Sequence, residues 1–484
     1  MSIKDLQPTI LWKYFHELTQ IPRPSKKEQR VVEYVKNFGK EHGLKTIVDE
    51  AGNVILKKPA TKGMEKLKGV ILQCHLDMVP QKNSNVDHNF EKDPVEAYVD
   101  GEWVTAKGTT LGADNGIGVA AALAIMESGE IVHGPLEALL TVDEETGMTG
   151  AFGLKAGLLD GDILINLDSE EDGELYVGCA GGMDANIKFS FSEEPVPDDA
   201  VPYNIKVSGL KGGHSGMDIH LGRGNSNKLL FRFMKYAYAE YGIRIASVDG
   251  GGMRNAIPRE AEAVVVVPVS KAKDFEKSVR EHQSVYKKEL ANVEPDLSFT
   301  VEKTDMPVWL IDAETGEKLI HSVCGCPNGV IRMSDSIPGL VETSTNLASV
   351  RSFENEITIQ CLMRSSVDTA KDELAGMIES VFKLAGAEVH FDGAYPGWKP
   401  NMDSEILKIM NNVYKEMYGE SPEVKAVHAG LECGLLGGIY PHIDMISFGP
   451  EIVNPHSPDE KVHIESVEKF WNYLLETLKN MPVK

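Results

Sequence analysis

The sequence has no long apolar run and no recognisable export signal. No stretch approaches the roughly 18 consecutive apolar residues that a membrane-spanning helix needs. The first thirty residues combine charges with an amphipathic pattern, and they contain neither a continuous apolar core nor a small-residue cleavage site. We therefore expect no signal peptide and no association with a membrane.

Cysteine is scarce as well. The six cysteines are scattered along 484 residues, and Cys324 and Cys326 form a CxC spacing that is typical of neither a zinc knuckle nor a disulfide framework. Few, scattered cysteines are usual in reducing compartments. The composition therefore favours a cytoplasmic location.

Positive charge is in deficit. The 49 lysines and arginines are outnumbered by 73 acidic residues, which gives a net charge of −24. Nucleic acids and anionic lipids bind basic surfaces, so we expect no nucleic-acid partner. The acidity itself indicates no more than solubility. A chain of 484 residues exceeds what one core usually accommodates, which favours two domains.

Short apolar runs alternate with helical patterns in the first 184 residues. Buried strands are predicted at 70–74, 136–142 and 162–168, and a helix of small and apolar residues is predicted at 115–129. This alternation predicts an α/β fold whose sheet is mostly parallel. In such sheets, functional sites collect beyond the carboxyl ends of the strands.

The pattern changes after residue 184. Apolar and polar residues now alternate, as in half-exposed antiparallel strands, and long amphipathic helices follow. We interpret 185–397 as an inserted α+β lid domain, with two similar α+β units near 185–295 and 296–397. The helix and strand patterns of the first domain return at the end of the chain. The sequence therefore predicts a catalytic domain formed by 1–184 and 398–484.

Polar residues follow the first predicted strand and precede the predicted helix. His75 and Asp77 point to the same side of an extended chain, where the carboxylate can orient the imidazole towards a metal. A capping pair in a loop is the alternative. Asp114 lies among glycines at the start of the helix, where it is either an N-cap or a metal ligand.

Further acidic groups and a histidine follow other predicted strands. Asp143, Glu144 and Glu145 close the strand at 136–142, and three adjacent acids there need a neighbouring cation. Asp168 ends the third strand, where a turn aspartate is the alternative. His456 lies in a rigid polar segment that is otherwise interpreted as a surface loop.

Together these side chains suit a metal centre. Imidazoles with several carboxylates match the preferences of zinc, and also of cobalt or manganese. The ligands are too many for one tetrahedral ion, whereas two ions bridged by a carboxylate would use them all. The set comprises His75, Asp77, Asp114, Glu144, Glu145, Asp168 and His456.

Five segments in order carry a family resemblance. They are HLDMV, TTLGADNGIG, VDEETGMTGA, INLDSEEDGELYVGCAGG and NPHSPDE. The chain resembles, over essentially its whole length, the co-catalytic zinc peptidase family that includes carboxypeptidase G, peptidase T, carnosinase and the bacterial dipeptidases. The resemblance implies a homodimer that hydrolyses dipeptides with free termini, Xaa-His among them, with two divalent ions per subunit. Zinc is the expected ion.

The resemblance also implies a role for each residue of the set. Asp77 orients the histidine ligand and Glu144 is the general base. The peptide bond between Asp114 and Asn115 is expected to be cis. One ion is held by His75 and Asp168 and the other by Glu145 and His456, with Asp114 bridging the two.

Substrate-binding residues are expected in the inserted domain. His214, in a glycine-rich segment, matches the family position that stabilises the oxyanion and contacts substrate, and it comes from the same chain in some relatives and from the partner subunit in others. A solvated turn histidine is the alternative. Arg364 is the candidate for the substrate carboxylate, with Arg254 and Arg259 as rivals. Glu432 either meets the substrate amine or starts a helix.

Other functions compete with this one. An N-acyl amino acid deacylase or a tripeptidase would use the same metal centre on a different substrate. A metal-binding or scaffold protein without catalysis would lack a ligand or the base, and none is missing here.

Overall fold

The computed structural model describes residues 2–484, which divide into two compact units. The first unit runs to Gly178 and resumes over Pro400–Ala426 and Leu431–Lys484. The second unit comprises Cys179–Lys399 and the short segment Val427–Gly430. No helix in residues 2–484 is both long enough and apolar enough to cross a membrane.

Helices occur throughout the described chain. Short 3-10 turns lie at Ile3–Asp5, Ile219–Leu221 and Val269–Lys271. The α-helices are α1 (Thr9–Thr19), α2 (Gln29–Glu41), α3 (Ala113–Glu127), α4 (Glu144–Gly147), α5 (Thr149–Gly153), α6 (Ser226–Tyr241), α7 (Ala272–Glu289), α8 (Ala313–Gly325), α9 (Asp368–Leu384), α10 (Glu405–Tyr418), α11 (Glu432–Ile439) and α12 (Ile464–Lys479).

The strands within residues 2–484 build four sheets. They are β1 (Lys45–Val48), β2 (Val54–Lys58), β3 (Val70–His75), β4 (Ala97–Asp100), β5 (Trp103–Ala106), β6 (Leu136–Thr141), β7 (Ile163–Asn166), β8 (Glu174–Cys179), β9 (Gly181–Ser190), β10 (Glu193–Glu194), β11 (Ala200–Ser208), β12 (Arg244–Gly251), β13 (Ala261–Pro268), β14 (Ser298–Lys303), β15 (Leu310–Ile311), β16 (Gly329–Met333), β17 (Val341–Phe353), β18 (Glu356–Ser365), β19 (Glu388–Tyr395), β20 (Glu423–Val427), β21 (Asp444–Ser447), β22 (Ile452–Val453) and β23 (Lys461–His463).

The main sheet of the first unit has the order β1-β2-β6-β3-β7-β21-β8-β20. The four central strands, β6, β3, β7 and β21, are parallel. Strands β3, β6 and β7 are the buried strands predicted at 70–74, 136–142 and 162–168, and they are buried at every position, as parallel strands covered on both faces are. The mostly parallel sheet is thus confirmed at its centre, whereas antiparallel pairs flank it.

The parallel register gathers the ends of three strands. His75, the last residue of β3, pairs with Thr141 at the end of β6, and Gln73 pairs with Asn166 at the end of β7. The segments that follow these strands therefore leave the sheet at one edge. Helix α3, whose residues Ala113–Met126 are all buried, packs against β3 and α1.

The second unit contains a largely antiparallel nine-stranded sheet with the order β14-β11-β13-β12-β17-β18-β9-β19, on which β16 pairs with β17. One half runs from β11 to β14 with helices α6 and α7. The other half combines β9 with β17, β18 and β19. Along the chain, β9 of the second half precedes the first half, and β17, β18 and β19 follow it. The sequence instead predicts two consecutive units. Strands β12 and β17 join the two halves.

Candidate metal centre

Two groups of ligand-type side chains meet at Asp114. Its Oδ1 lies 3.0 Å from His75 Nε2, which is 3.2 Å from Asp168 Oδ1. Its Oδ2 lies 3.0 Å from His456 Nε2, which is 2.9 Å from Glu145 Oε2. Each oxygen of Asp114 therefore faces a different imidazole.

A turn delivers the adjacent glutamates to this edge of the sheet. Strand β6 ends at Thr141, Asp143 adopts a left-handed conformation with φ 54°, and Glu144 begins α4. The Asp143 carboxylate accepts hydrogen bonds from the hydroxyls of Thr146 and Thr149, the latter at 2.7 Å. Because the chain turns here, successive side chains no longer alternate between the two faces of the sheet. Glu144 and Glu145 can therefore approach the same position. Asp143, which had no assigned role, stabilises the turn.

Asp77 connects the first histidine to both glutamates. Its Oδ1 lies 3.4 Å from His75 Nδ1, and its carboxylate accepts the backbone N–H groups of Glu144 at 3.0 Å and Glu145 at 3.2 Å. Ser25 donates a further hydrogen bond at 2.7 Å. Burial raises the pKa of Asp77, but His75 and the hydrogen bonds outweigh it and lower that pKa to about 2. Asp77 therefore stays ionised.

Asn115 links two of the proposed ligands. The peptide bond between Asp114 and Asn115 is cis, as the resemblance implies. The Asn115 amide donates to the carbonyl of Leu167 at 2.7 Å and to the carboxylate of Asp168. The segment after β7 is thereby attached to the start of α3.

The charges at the centre call for a cation. Burial lowers the pKa of His75, but Asp168 and Asp114 raise it well above its usual range. Hydrogen bonds from His456 to Asp114 and Glu145 raise the pKa of His456 to about 11. The raised pKa values show that the carboxylates make positive charge favourable at this position. A divalent ion would supply that positive charge in place of the protons.

The donor set fits two such ions. Each half offers one imidazole nitrogen together with carboxylate oxygens, which zinc prefers. Ligand atoms of His75, Asp114 and Glu145 all lie within 4.8 Å of one another. The second oxygen of Glu145, Oε1, is buried and has no hydrogen-bond partner in residues 2–484, so it is available to a cation.

Glu144 and Glu432 are two acidic groups beside this centre that form no ion pair with a histidine in residues 2–484. Burial raises the pKa of Glu144 well above its usual range, and Asp168 and Glu432 add to the shift. Glu432 begins α11 and is 1% exposed, and it accepts hydrogen bonds from Gln73 at 2.6 Å and Thr141 at 2.7 Å. Burial raises the pKa of Glu432 to about 8. This enclosure favours the helix-start interpretation of Glu432 over contact with a substrate amine.

Sequence reasoning missed three charged residues at the centre. Glu170, in the acidic segment after β7, is half-buried, and burial followed by Asp114 and Asp168 raises its pKa to about 9. Arg23 and Glu460 are buried. The motif NPHSPDE contains Glu460, but nothing in its spacing showed what the carboxylate contacts.

His214 lies in the second unit with a defined tautomer. Its Nδ1 accepts backbone N–H groups of Gly216 at 3.2 Å and Met217 at 3.0 Å. A nitrogen that accepts carries no proton, so Nε2 carries the N–H of the neutral ring. Burial, followed by the charge of Arg364, lowers the pKa of His214 and keeps the ring neutral. The ring is therefore a hydrogen-bond donor through Nε2.

The three candidate arginines of the second unit differ in their partners. Arg364, at the end of β18, is 7% exposed and has no carboxylate within ion-pair distance in the described chain, and its Nη1 donates to Tyr395 Oη at 3.3 Å. Arg254 forms ion pairs with Asp184 and Asp392. Arg259 donates to the carbonyl of Leu210 at 2.9 Å. Of these three arginines, Arg364 is thus the buried one that lacks a counter-charge.

Residues 71–480 match the sequence profile of peptidase family M20/M25/M40. The chain belongs to this family. Among curated members, the cytosol non-specific dipeptidase of Escherichia coli (strain K12) is 47% identical over 483 residues, which cover 100% of both chains. The M20 match extends across both units and includes every proposed ligand.

Solved structures agree with the M20 assignment. The aminoacylhistidine dipeptidase of Vibrio alginolyticus superposes with a TM-score of 0.96 at 48% identity, covering 100% of this chain and 99% of that one. A tripeptidase of Staphylococcus aureus superposes with a TM-score of 0.57 at 17% identity and 98% coverage of both chains, which shows a shared fold. The α/β fold with a second α+β unit is therefore the M20 peptidase fold.

Proposed function

We propose that this M20 peptidase is a dipeptidase of broad specificity that acts on dipeptides with free termini, Xaa-His among them. The observation that carries the proposal is the pair of ligand clusters that share Asp114. The names of the two full-length relatives, a non-specific dipeptidase and an aminoacylhistidine dipeptidase, support the substrate class.

The proposed ligands form two sets. One set is His75, Asp114 and Asp168, and the other is Asp114, Glu145 and His456. We propose zinc as the native ion, with cobalt or manganese as alternatives, because imidazole and carboxylate donors suit all three. Two bound ions would supply Lewis-acid chemistry, which polarises a carbonyl and makes water more acidic.

Glu144 is proposed as the general base. Its raised pKa suits a group that takes a proton from the attacking water and then delivers it to the leaving amine. Asp77 holds the backbone N–H of Glu144 and faces His75, so it is proposed as the residue that orients both. No nucleophilic side chain is needed.

Substrate binding is assigned to the second unit. The neutral Nε2–H of His214 is proposed to donate to the developing oxyanion, and Arg364 is proposed to bind the substrate carboxylate. A buried arginine without a counter-charge is costly, which supports an anionic ligand for it. We further propose a homodimer, from the family resemblance, and a cytoplasmic location, from the name of the curated relative.

Metal analysis combined with a substrate panel tests the proposal. The purified protein should bind two divalent ions per chain and should cleave Xaa-His and other dipeptides in preference to tripeptides and N-acetyl amino acids. Glu137→Gln is the control for carboxylate substitutions at the metal centre. Glu137 is a buried carboxylate at the opposite end of β6 and should be dispensable for turnover. Efficient cleavage of only the N-acetyl substrates would instead make the protein a deacylase.

A further inference from the structure

Arg23 is a buried cation whose hydrogen bonds within residues 2–484 all go to backbone carbonyls. It is 2% exposed and has no carboxylate within ion-pair distance in residues 2–484. Its Nη1 donates to the carbonyls of Leu76 at 2.9 Å and Asp77 at 2.8 Å, and its Nη2 donates to that of Gly112 at 2.5 Å. Arg23 therefore joins the segment after β3, which follows His75, to the segment before α3.

Glu460 is a buried anion that contacts the same segment from another side. It is 2% exposed, and its carboxylate accepts four backbone N–H groups at 2.7–3.3 Å. The donors are consecutive residues, Leu111–Asp114. Glu460 lies four residues after His456, so it joins the loop of one proposed ligand to the segment that ends in another.

The glycines of this segment are explained by Arg23. A Cβ at Gly112 or at Gly116 would lie 2.7 Å from Arg23 Nη2. Gly112 also has a φ of 72°, which side chains rarely adopt. The group that closely approaches the backbone at these two glycines is the guanidinium of Arg23.

We propose that Arg23 and Glu460 are positioning residues for the metal centre. Arg23 fixes the distance between the loops of His75 and Asp114, and Glu460 fixes the distance between the loops of His456 and Asp114. Asp114 would touch both ions, so a shift of its backbone would disturb both positions. The inference rests on the proposed two-metal function and adds residues that contact neither ion nor substrate.

The physical reason lies in the number and direction of the hydrogen bonds. A carboxylate can accept all four N–H groups of the segment, whereas a glutamine at 460 would turn an amide N–H₂ against two of these donors. A lysine at 23 keeps the charge but replaces the planar fork that spans two loops. Each substitution should loosen one loop without replacing the side chain of any proposed ligand.

Metal titration of three single variants tests the proposal. Glu460→Gln and Arg23→Lys alter the two positioning residues, and Glu137→Gln is the matched control. Glu137 is 5% exposed and accepts the N–H groups of Asp160 and Gly161, both at 2.8 Å, at the far end of β6. The stripped proteins are titrated with Co²⁺ in competition with a chelator, and the visible absorption, thermal unfolding, kcat and KM are recorded.

We expect Glu460→Gln and Arg23→Lys to weaken the affinity for at least one ion tenfold or more and to change the Co²⁺ spectrum. Saturating metal should restore part of kcat, while KM changes little. Glu137→Gln should lower the unfolding temperature but keep both affinities within twofold. If Arg23→Lys does not fold, Gly116→Ala displaces the guanidinium without removing its charge.

Wild-type affinities and spectra in both Glu460→Gln and the Arg23 variant would overturn the inference, even if both variants are less stable. Failure of the wild-type protein to bind two ions would instead overturn the proposed function. The two failures are therefore distinguishable in one set of titrations.

Discussion

The carboxylate of Asp77 accepts the backbone N–H of Glu144 at 3.0 Å. The same carboxylate accepts the N–H of Glu145 at 3.2 Å and lies 3.4 Å from His75 Nδ1. The group that faces the histidine therefore also fixes the turn that carries the proposed base and a proposed ligand. One buried carboxylate therefore links the segments that follow β3 and β6.

This relationship predicts the effect of Asp77→Asn. An asparagine has one acceptor oxygen, which can replace either Oδ1, beside His75 and the N–H of Glu144, or Oδ2, beside the N–H of Glu145. Its amide N–H₂ group then opposes a backbone donor on the other side. We expect kcat or metal affinity to fall roughly 10–100-fold. Ser25→Ala removes only one hydrogen bond to Asp77 and should have a smaller effect. Steady-state kinetics with metal analysis measure both, and equal losses in the two variants would contradict the dual role.

Glu144 and Glu145 should separate in their effects. Glu144→Gln removes the proposed base and should lower kcat roughly 10²–10⁴-fold while the protein keeps both ions. Glu145→Gln should lower the metal content, because its carboxylate contacts His456 at 2.9 Å. Metal-to-protein ratios and kcat are measured on the same samples. Loss of metal in Glu144→Gln would show that its role is not that of a base.

Arg364 should determine the requirement for a free carboxylate. Removing one partner of a buried ion pair costs about 3 kcal/mol, so Arg364→Met should lower kcat/KM for dipeptides roughly 100-fold. Dipeptide amides should lose much less, because they lack the charge that the arginine binds. Arg254→Met, which alters an arginine already paired with Asp184, is the control. Equal losses on both substrates would contradict the assignment.

His428 should make the protein less stable in acid. Burial, followed by the charges of Arg364 and His214, lowers the pKa of His428 to about 3, and His220 adds to the shift. The folded state then binds fewer protons than the unfolded state between about pH 6.5 and 3. Stability contributed by the neutral ring is therefore complete above pH 6.5 and is lost as the pH falls, by about 1.4 kcal/mol per pH unit.

The comparison of His428→Asn with wild type isolates this contribution. Thermal unfolding between pH 7 and pH 4.5 should show a shallower pH dependence in His428→Asn, because the variant has no ring to protonate. His321→Asn, on an exposed position of α8, should keep the wild-type dependence. A wild-type slope in His428→Asn would show that the ring titrates normally in the folded protein.

The sequence by itself determined the parallel centre of the first sheet and the identity of the proposed ligands. Buried strands such as β3 and β6 are short and uniformly apolar, and the polar residues after them stand out because nothing else explains their charge. A turn near Asp143 also follows from the sequence. In a continuing strand, Glu144 and Glu145 would point to opposite faces and could not serve one site.

Only the tertiary structure decided which residues hold these ligands in place. Arg23 precedes Gly112 by 89 positions, and Glu460 follows it by 348, so no local pattern joins them. The tautomer of His214 likewise depends on how its loop turns back onto Nδ1. Spacing along a chain reveals chemistry within one element, whereas contacts between segments far apart in sequence exist only once the core has packed.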